Sequence, residues 1–328
     1  MSTQLTYSLD SLYFPLITMK NSSNSFLLIA LMLLWQPSLS QKFFDTSVKK
    51  VLFLGNSITY SGEYIQLFET IYRIQNPESK VEFYNCGLPS ETVSGLSEEG
   101  HASGRFPRPV LFERLDRVLK MIQPDIVIAT YGINDGIYQP FSEERFMKFQ
   151  EGIQKLHKQV EASGAKIIHV TPSVYEEKKK GFSFNYADVM NRYAEWLISQ
   201  KQWEVIDTYF PMKKTLDEAK KKKPEATLAS DGVHPNSQGH WVICRNLLAY
   251  FGLKKARNAE VWTELYPNRS VSNLLLLFQK IQAKHNILKN AWLRATQHTR
   301  PEMPEGLPMD EALSKAMVLQ TEINTLLK

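Results

Sequence analysis

The sequence is poor in cysteine and carries little net charge. It has two cysteines, Cys86 and Cys244, in 328 residues, too few for a disulfide-built scaffold or a four-thiolate metal site. A formal net charge of +5 is small for this length, so we do not expect a nucleic-acid partner. With 43% hydrophobic and 22% charged residues, the composition also excludes a disordered, collagenous or polytopic membrane chain. The sequence has no HExxH motif or clustered carboxylates, and we expect neither a metal nor a cofactor.

The sequence has one long apolar run, FLLIALMLLW at residues 26–35, and it lies near the amino terminus. Lys20 precedes the run and small residues ending at Ser40 follow it, as in a secretory signal peptide. We therefore predict a signal peptide over residues 1–40, with Met19 as an alternative start. The run is about half as long as a membrane-spanning helix, so a retained anchor is the less favoured alternative. The mature protein is expected to be secreted or periplasmic, without a stable membrane anchor.

Export also bears on the two cysteines. An oxidising compartment permits a disulfide between Cys86 and Cys244. Both residues lie in apolar segments, however, where buried free thiols are common.

After residue 40 the sequence alternates short apolar strands with helical stripes. We predict strands at residues 51–54, 81–84, 126–130, 167–170 and 205–206, with helices between them. This alternation favours a parallel sheet covered on both faces, a three-layer α/β/α domain over residues 41–253. Two further helices, at 273–293 and 309–327, form a helical extension over residues 254–328, which we expect to pack on the domain.

Polar residues follow the first three strands, where ligands bind in an open parallel sheet. Ser57 comes just after Gly55 and is placed to open the next helix, where backbone N–H groups are unpaired. Gly87 follows the second strand and allows a backbone N–H to approach a substrate oxygen closely. Asn134 follows the third strand and has an amide that can donate to the same oxygen. The pattern indicates a nucleophile with an oxyanion hole formed by Ser57, Gly87 and Asn134.

A serine nucleophile needs a general base that is itself oriented by a third group. His234 and Asp231 lie three residues apart after the fifth strand, at the same end of the sheet as Ser57. Each residue also has a structural alternative. Ser57 can be a helix N-cap, His234 an ordinary loop histidine, and Asn134 and Asp135 can shape a turn.

The four blocks GNSIT, NCG, GIND and DGVHP, taken in this order, resemble the signature blocks of the SGNH hydrolase superfamily, also called GDSL esterases and lipases. The resemblance extends over about residues 50–251. It implies a flavodoxin-like fold with a five-stranded parallel sheet. The sequence departs from the family pattern at Asn56, where the first block usually has aspartate.

The resemblance also implies roles for individual residues: Ser57 as nucleophile, His234 as base, Asp231 as its orienting carboxylate, and Ser57, Gly87 and Asn134 as oxyanion donors. The expected function is a serine esterase acting on a short acyl ester, most simply an acetyl group on a carbohydrate. A lipase or lysophospholipase is the enzymatic alternative, and a catalytically silent glycan-binding module is the other. The aromatic residues Tyr131, Tyr138 and Phe141 either line the pocket or belong to the core.

Overall fold

The structure is a computed structural model that describes residues 43–177 and 185–328. The predicted signal peptide over residues 1–40 lies outside the described residues. Within them, no helix combines the length and the apolar character needed to cross a membrane.

Five strands form one sheet in the order β2-β1-β3-β4-β5, and every neighbouring pair is parallel. The strands are β1 (Lys50–Gly55), β2 (Glu82–Asn85), β3 (Ile126–Thr130), β4 (Lys166–Val170) and β5 (Glu204–Ile206). This is the flavodoxin-like order, and it confirms the predicted fold. Gly55 pairs with Thr130, and Thr130 pairs with Val170, so the central strands end at one edge of the sheet.

Helices cover both faces of the sheet. The described helices are α1 (Ser57–Ser61), α2 (Glu63–Gln75), α3 (Leu115–Ile122), α4 (Glu143–Ala162), α5 (Tyr186–Ser199), α6 (Tyr209–Lys222), α7 (Ser237–Tyr250), α8 (Val271–Ala295) and α9 (Met309–Leu327). Short 3₁₀ turns lie at His101–Gly104, Leu111–Glu113, Lys254–Asn258 and Trp262–Leu265. The strand order reverses direction after β2. Because such crossovers are right-handed, α2 lies on one face and α3, α4 and α5 lie on the other. After β5 the chain returns to the first face, where α7 packs against α2.

The core lies between the sheet and these helices. Apart from Lys50 at its start, β1 is buried, and every residue of β3 is buried, as expected for parallel strands covered on two faces. The thiols of Cys86 and Cys244 are buried and free, so no disulfide joins them.

The C-terminal extension, residues 254–328, contributes α8 and α9, which pack against each other, while α8 also packs on α2 and β2. A buried cluster of charges joins α8 to α2. Glu69 of α2 lies 2.6 Å from both Lys284 Nζ and His285 Nε2, and Arg73 lies 3.1 Å from the same carboxylate. Burial raises the pKa of Glu69, but the opposing charges of Lys284, Arg73 and His285 outweigh it and hold that pKa well below its usual range.

Candidate active site

Ser57 is placed by a tight connection between β1 and α1. A Cβ atom on Gly55 would lie 2.2 Å from Thr59 Oγ1, so the turn requires glycine. The next residue, Asn56, caps α1 by accepting a hydrogen bond of 3.0 Å from the Ile58 N–H. The capping role that we considered for Ser57 therefore belongs to Asn56, and an asparagine performs it as an aspartate would. The Ser57 hydroxyl remains available for other contacts.

His234 and Asp231 meet Ser57 at the carboxyl edge of the sheet. His234 Nε2 lies 2.8 Å from Ser57 Oγ, and His234 Nδ1 lies 2.6 Å from Asp231 Oδ2. The other carboxylate oxygen, Asp231 Oδ1, accepts hydrogen bonds of 2.9 and 2.7 Å from the N–H groups of Val233 and His234. Burial raises the pKa of Asp231, but the hydrogen bonds from His234 and Val233 outweigh it and lower that pKa to about 2.

The ionised Asp231 determines how the imidazole can act. Its carboxylate accepts a hydrogen bond, so the proton of a neutral His234 is assigned to Nδ1. His234 Nε2 is then an acceptor facing the Ser57 hydroxyl. This arrangement can remove a proton from Ser57 and later return one to a leaving group.

Glu176, which we did not predict as a site residue, holds the loop that carries Asp231 and His234. It is buried, and its Oε1 accepts hydrogen bonds of 2.7 and 2.8 Å from the N–H groups of Leu228 and Ala229. Its own N–H donates to the Gly232 carbonyl at 2.8 Å. Glu176 thus fixes the loop on both sides of Asp231 and orients the imidazole indirectly.

The GIND block forms a rigid turn beside this site. Asn134 is buried; its Nδ2 donates to the Glu91 carbonyl at 3.2 Å, and its Oδ1 accepts from the Tyr138 hydroxyl at 3.2 Å. One Nδ2 hydrogen thus remains available for a substrate oxygen. Asp135 has the turn-shaping role, because its Oδ2 accepts from the Gly132 N–H at 2.9 Å. Its Oδ1 also accepts from the N–H groups of Val93 and Ser94, both at 2.8 Å, which fastens the turn to that loop.

The surroundings of Gly87 differ from the expectation. Its N–H donates to Asn85 Oδ1 at 2.9 Å, in a local turn of the kind that asparagine favours, and so is not free for a substrate. A Cβ on Gly87 would lie 2.3 Å from the Tyr60 nitrogen, so glycine is needed here for close packing against α1. The geometry does not support Gly87 as an oxyanion donor.

Ser90 is a candidate backbone donor that we did not predict. It has a left-handed φ of 68°, which is uncommon outside glycine. The next carbonyl, that of Glu91, is the one that accepts from Asn134. In the described part of the chain, neither the Ser90 nor the Ser57 N–H has a hydrogen-bond partner. Nothing in the sequence around Ser90 indicates that a serine adopts this left-handed conformation.

The three aromatic residues near the GIND block divide between core and site. Tyr131 is buried, and its hydroxyl donates to Glu91 at 2.7 Å, so it belongs to the core. Phe141 packs against Phe146. Tyr138 is partly exposed and lies 6.1 Å, between ring centroids, from Tyr175. Desolvation by burial raises the pKa of both tyrosines, and the charge of Asp231 is a smaller cause in the same direction.

Comparisons with known proteins agree with this architecture. Residues 53–242, more than half of the chain, match the GDSL-like lipase/acylhydrolase family. An acetylxylan esterase from Geobacillus stearothermophilus is 24% identical over 233 residues, which are 65% of this chain and 98% of the esterase. The crystal structure of an acetylxylan esterase from the same organism gives a TM-score of 0.48 at 23% identity, covering 62% of this chain and 94% of the esterase.

A gut microbial diltiazem-metabolizing enzyme gives a TM-score of 0.51 at 22% identity over 65% of this chain. The aligned part is 49% of that enzyme, so the chain spans about half of its length. At this level of identity the likeness shows a shared fold. The family match ends before α8, so the C-terminal helices lie outside it.

Proposed function

The chain belongs to the GDSL-like lipase/acylhydrolase family and is an ester hydrolase, and from that premise we propose that it is a serine esterase using Ser57, His234 and Asp231. One observation carries the proposal. The chain of contacts from Ser57 Oγ to His234 Nε2 at 2.8 Å, and from His234 Nδ1 to Asp231 at 2.6 Å, is that of a nucleophile, a base and an orienting carboxylate.

The reaction follows from this geometry in two steps. Ser57 Oγ attacks the ester carbonyl while His234 Nε2 takes the hydroxyl proton. Collapse of the tetrahedral intermediate breaks the bond to the alcohol, which leaves with the proton from His234. Water then attacks the acyl-enzyme, gives a proton to His234, and the proton returns to Ser57 as the acid departs.

The negative oxygen of each tetrahedral intermediate needs aimed donors. The proposed donors are the Ser57 N–H and Asn134 Nδ2, with the Ser90 N–H taking the place that we first predicted for Gly87. Two observations support this choice: among the described residues the N–H groups of Ser57 and Ser90 have no hydrogen-bond partner, and Asn134 contacts the Glu91 carbonyl. In comparable enzymes each such donor stabilises the transition state by about 3 kcal/mol.

The proposed substrate is a short acyl ester on a carbohydrate, an acetyl group in the simplest case. The relative from Geobacillus stearothermophilus is an acetylxylan esterase, which supports this substrate class. Tyr138 and Tyr175 near Asp231 offer aromatic faces of the kind on which a sugar ring packs. With the apolar run at residues 26–35, this substrate fits a secreted or periplasmic enzyme.

The test compares kcat/KM for acetylated xylo-oligosaccharides with kcat/KM for a lysophospholipid and for nitrophenyl esters of increasing acyl length. We expect acetate to be preferred and esters beyond about eight carbons to react poorly. Preference for long chains would instead favour the lipase alternative. Glycan binding that survives Ser57→Ala, in a protein without esterase activity, would favour a silent binding module.

A further inference from the structure

The helix that carries Ser57 is short and depends on contacts made at its far end. Helix α1 has five residues, and a helix of this length is not stable on its own in water. Its first residue is Ser57, so a shift or rotation of α1 moves Ser57 Oγ relative to His234. What holds the end of α1 therefore affects the nucleophile.

The C-terminal extension holds that end through two consecutive residues of α8. Lys289 Nζ donates to the Tyr60 carbonyl at 3.1 Å and lies 4.4 Å from the centroid of the Tyr60 ring. The Tyr60 hydroxyl donates to Asn290 Oδ1 at 2.9 Å. Tyr60 is thus bound through its backbone, its ring and its hydroxyl.

The environment of Lys289 is unusual for a lysine. The residue is 9% exposed, and burial lowers the pKa of its ammonium group. Within the described residues it forms no ion pair, whereas Lys284 on the same helix pairs with Glu69 at 2.6 Å. Burying a charge without a carboxylate partner is costly, so a benefit elsewhere is expected.

The position of the ammonium at α1 suggests that benefit. Carbonyl groups at the end of a helix lack intrahelical partners and carry partial negative charge, which a cation stabilises. The Lys289 ammonium meets one such carbonyl and the π face of the same residue. The Thr59 carbonyl accepts from Asn85 Nδ2 at 2.7 Å. A side chain within the family-matched residues thus also donates to a carbonyl of α1.

We propose that Lys289 and Asn290 are positioning residues for catalysis, which hold α1 through Tyr60 and so keep Ser57 within reach of His234. The inference rests on the proposed function, because it takes Ser57 as the nucleophile. It gives the C-terminal extension, which lies outside the family match, a part in the reaction. Misplacing a reacting group by about 1 Å can lower a rate by about a hundredfold, so small shifts of α1 matter.

The test compares the full chain with single variants at Lys289 and Tyr60. Lys289→Met removes the ammonium and keeps the length of the side chain, and Tyr60→Phe removes the hydroxyl while the ring remains. Lys280→Met is the matched control, because Lys280 lies on the same helix and faces α9, where its Nζ is 2.6 Å from Glu322. Two readouts are measured: the rate constant for phosphonylation by a small fluorophosphonate, and kcat and KM for 4-nitrophenyl acetate.

The expected effect is on rate and not on binding. Phosphonylation and kcat should both fall about tenfold in Lys289→Met and about threefold in Tyr60→Phe, with KM changed less than twofold. Lys280→Met should match the wild type. Lys289→Arg keeps the positive charge and should recover part of the loss, which a purely structural role for Lys289 would not predict.

The outcomes separate the inference from the function beneath it. If the folded wild type does not react with the fluorophosphonate, the proposed function fails. If the wild type reacts and folded Lys289→Met and Tyr60→Phe react at its rate, only the inference is overturned. A rise in KM with unchanged kcat would also overturn it, since the residues would then contribute to substrate binding. Should Lys289→Met not fold, Tyr60→Phe decides the question alone.

Discussion

Replacing Asp231 with asparagine should nearly abolish activity while leaving the fold intact. Asp231 Oδ1 accepts from two backbone N–H groups, at 2.9 and 2.7 Å, and Oδ2 meets His234 Nδ1 at 2.6 Å. In Asp231→Asn the carbonyl oxygen can keep the two backbone bonds, so the new amide nitrogen must face His234 Nδ1. An amide there donates, which forces the neutral imidazole to carry its proton on Nε2. The nitrogen beside Ser57 could then no longer accept a proton.

The size of the effect follows from this change of tautomer. The corresponding substitution in serine proteases lowers kcat by about 10⁴, which corresponds to roughly 5 kcal/mol of activation free energy. We expect a similar loss here, because Asp231 is the carboxylate that contacts His234 Nδ1. The assay is kcat for 4-nitrophenyl acetate at neutral pH, with thermal unfolding to check the fold. Asp217→Asn is the control, since Asp217 is an exposed aspartate on α6. A loss of less than tenfold in a folded Asp231→Asn variant would mean that Asp231 does not determine the tautomer of His234.

Three further predictions concern the donors and the packing of the domain. Asn134→Ala should lower kcat by about a hundredfold or more, and an effect confined to KM would mean that Asn134 only binds substrate. Gly87→Ala should lower the melting temperature, because the new Cβ would lie 2.3 Å from the Tyr60 nitrogen; an unchanged melting temperature would contradict the packing role. The pKa of Glu69 is lower in the folded protein than in the unfolded chain, where a glutamate has a pKa of about 4.3. Its stabilising effect is therefore complete above about pH 4.3 and is lost as the pH falls from there through the folded pKa. The difference in melting temperature between the wild type and Glu69→Gln should therefore shrink below about pH 4, and a constant difference would argue against this linkage.

The strands β1 and β3 could be predicted from the sequence because each contains a continuous apolar run. The strand predicted at residues 126–130 has its observed bounds: a proline at position 124 precedes the apolar run, and all five residues of the strand are buried. Helix α6, Tyr209–Lys222, was not predicted. The buried residues of this helix are Tyr209, Met212 and Leu216, and its last turn consists of lysines. The repeat of apolar residues that predicts a helix is therefore short. The apolar spacing of residues 110–121 predicts a helix there, but the segment begins with a 3₁₀ turn and its α-helical part is Leu115–Ile122.

The candidate site was predictable to the extent that it is local in sequence. His234 and Asp231 share one loop, and Ser57 follows a strand, so topology alone brings them to one edge. The contacts of Glu176, which lies 52 residues before Leu228, depend on tertiary packing and have no sequence pattern. The same holds for Lys289 and Tyr60, separated by 229 residues. The occupied N–H of Gly87 could have been predicted from the sequence. Asn85 lies two residues earlier, and asparagine favours a turn in which its side chain accepts from that N–H.

Intact-mass spectrometry after exposure to a fluorophosphonate tests whether Ser57 is an activated nucleophile. The folded wild type should gain the mass of one phosphonyl group, with loss of fluoride, and Ser57→Ala should gain none. No labelling of a folded wild type, or equal labelling of the two proteins, would show that Ser57 is not the activated nucleophile.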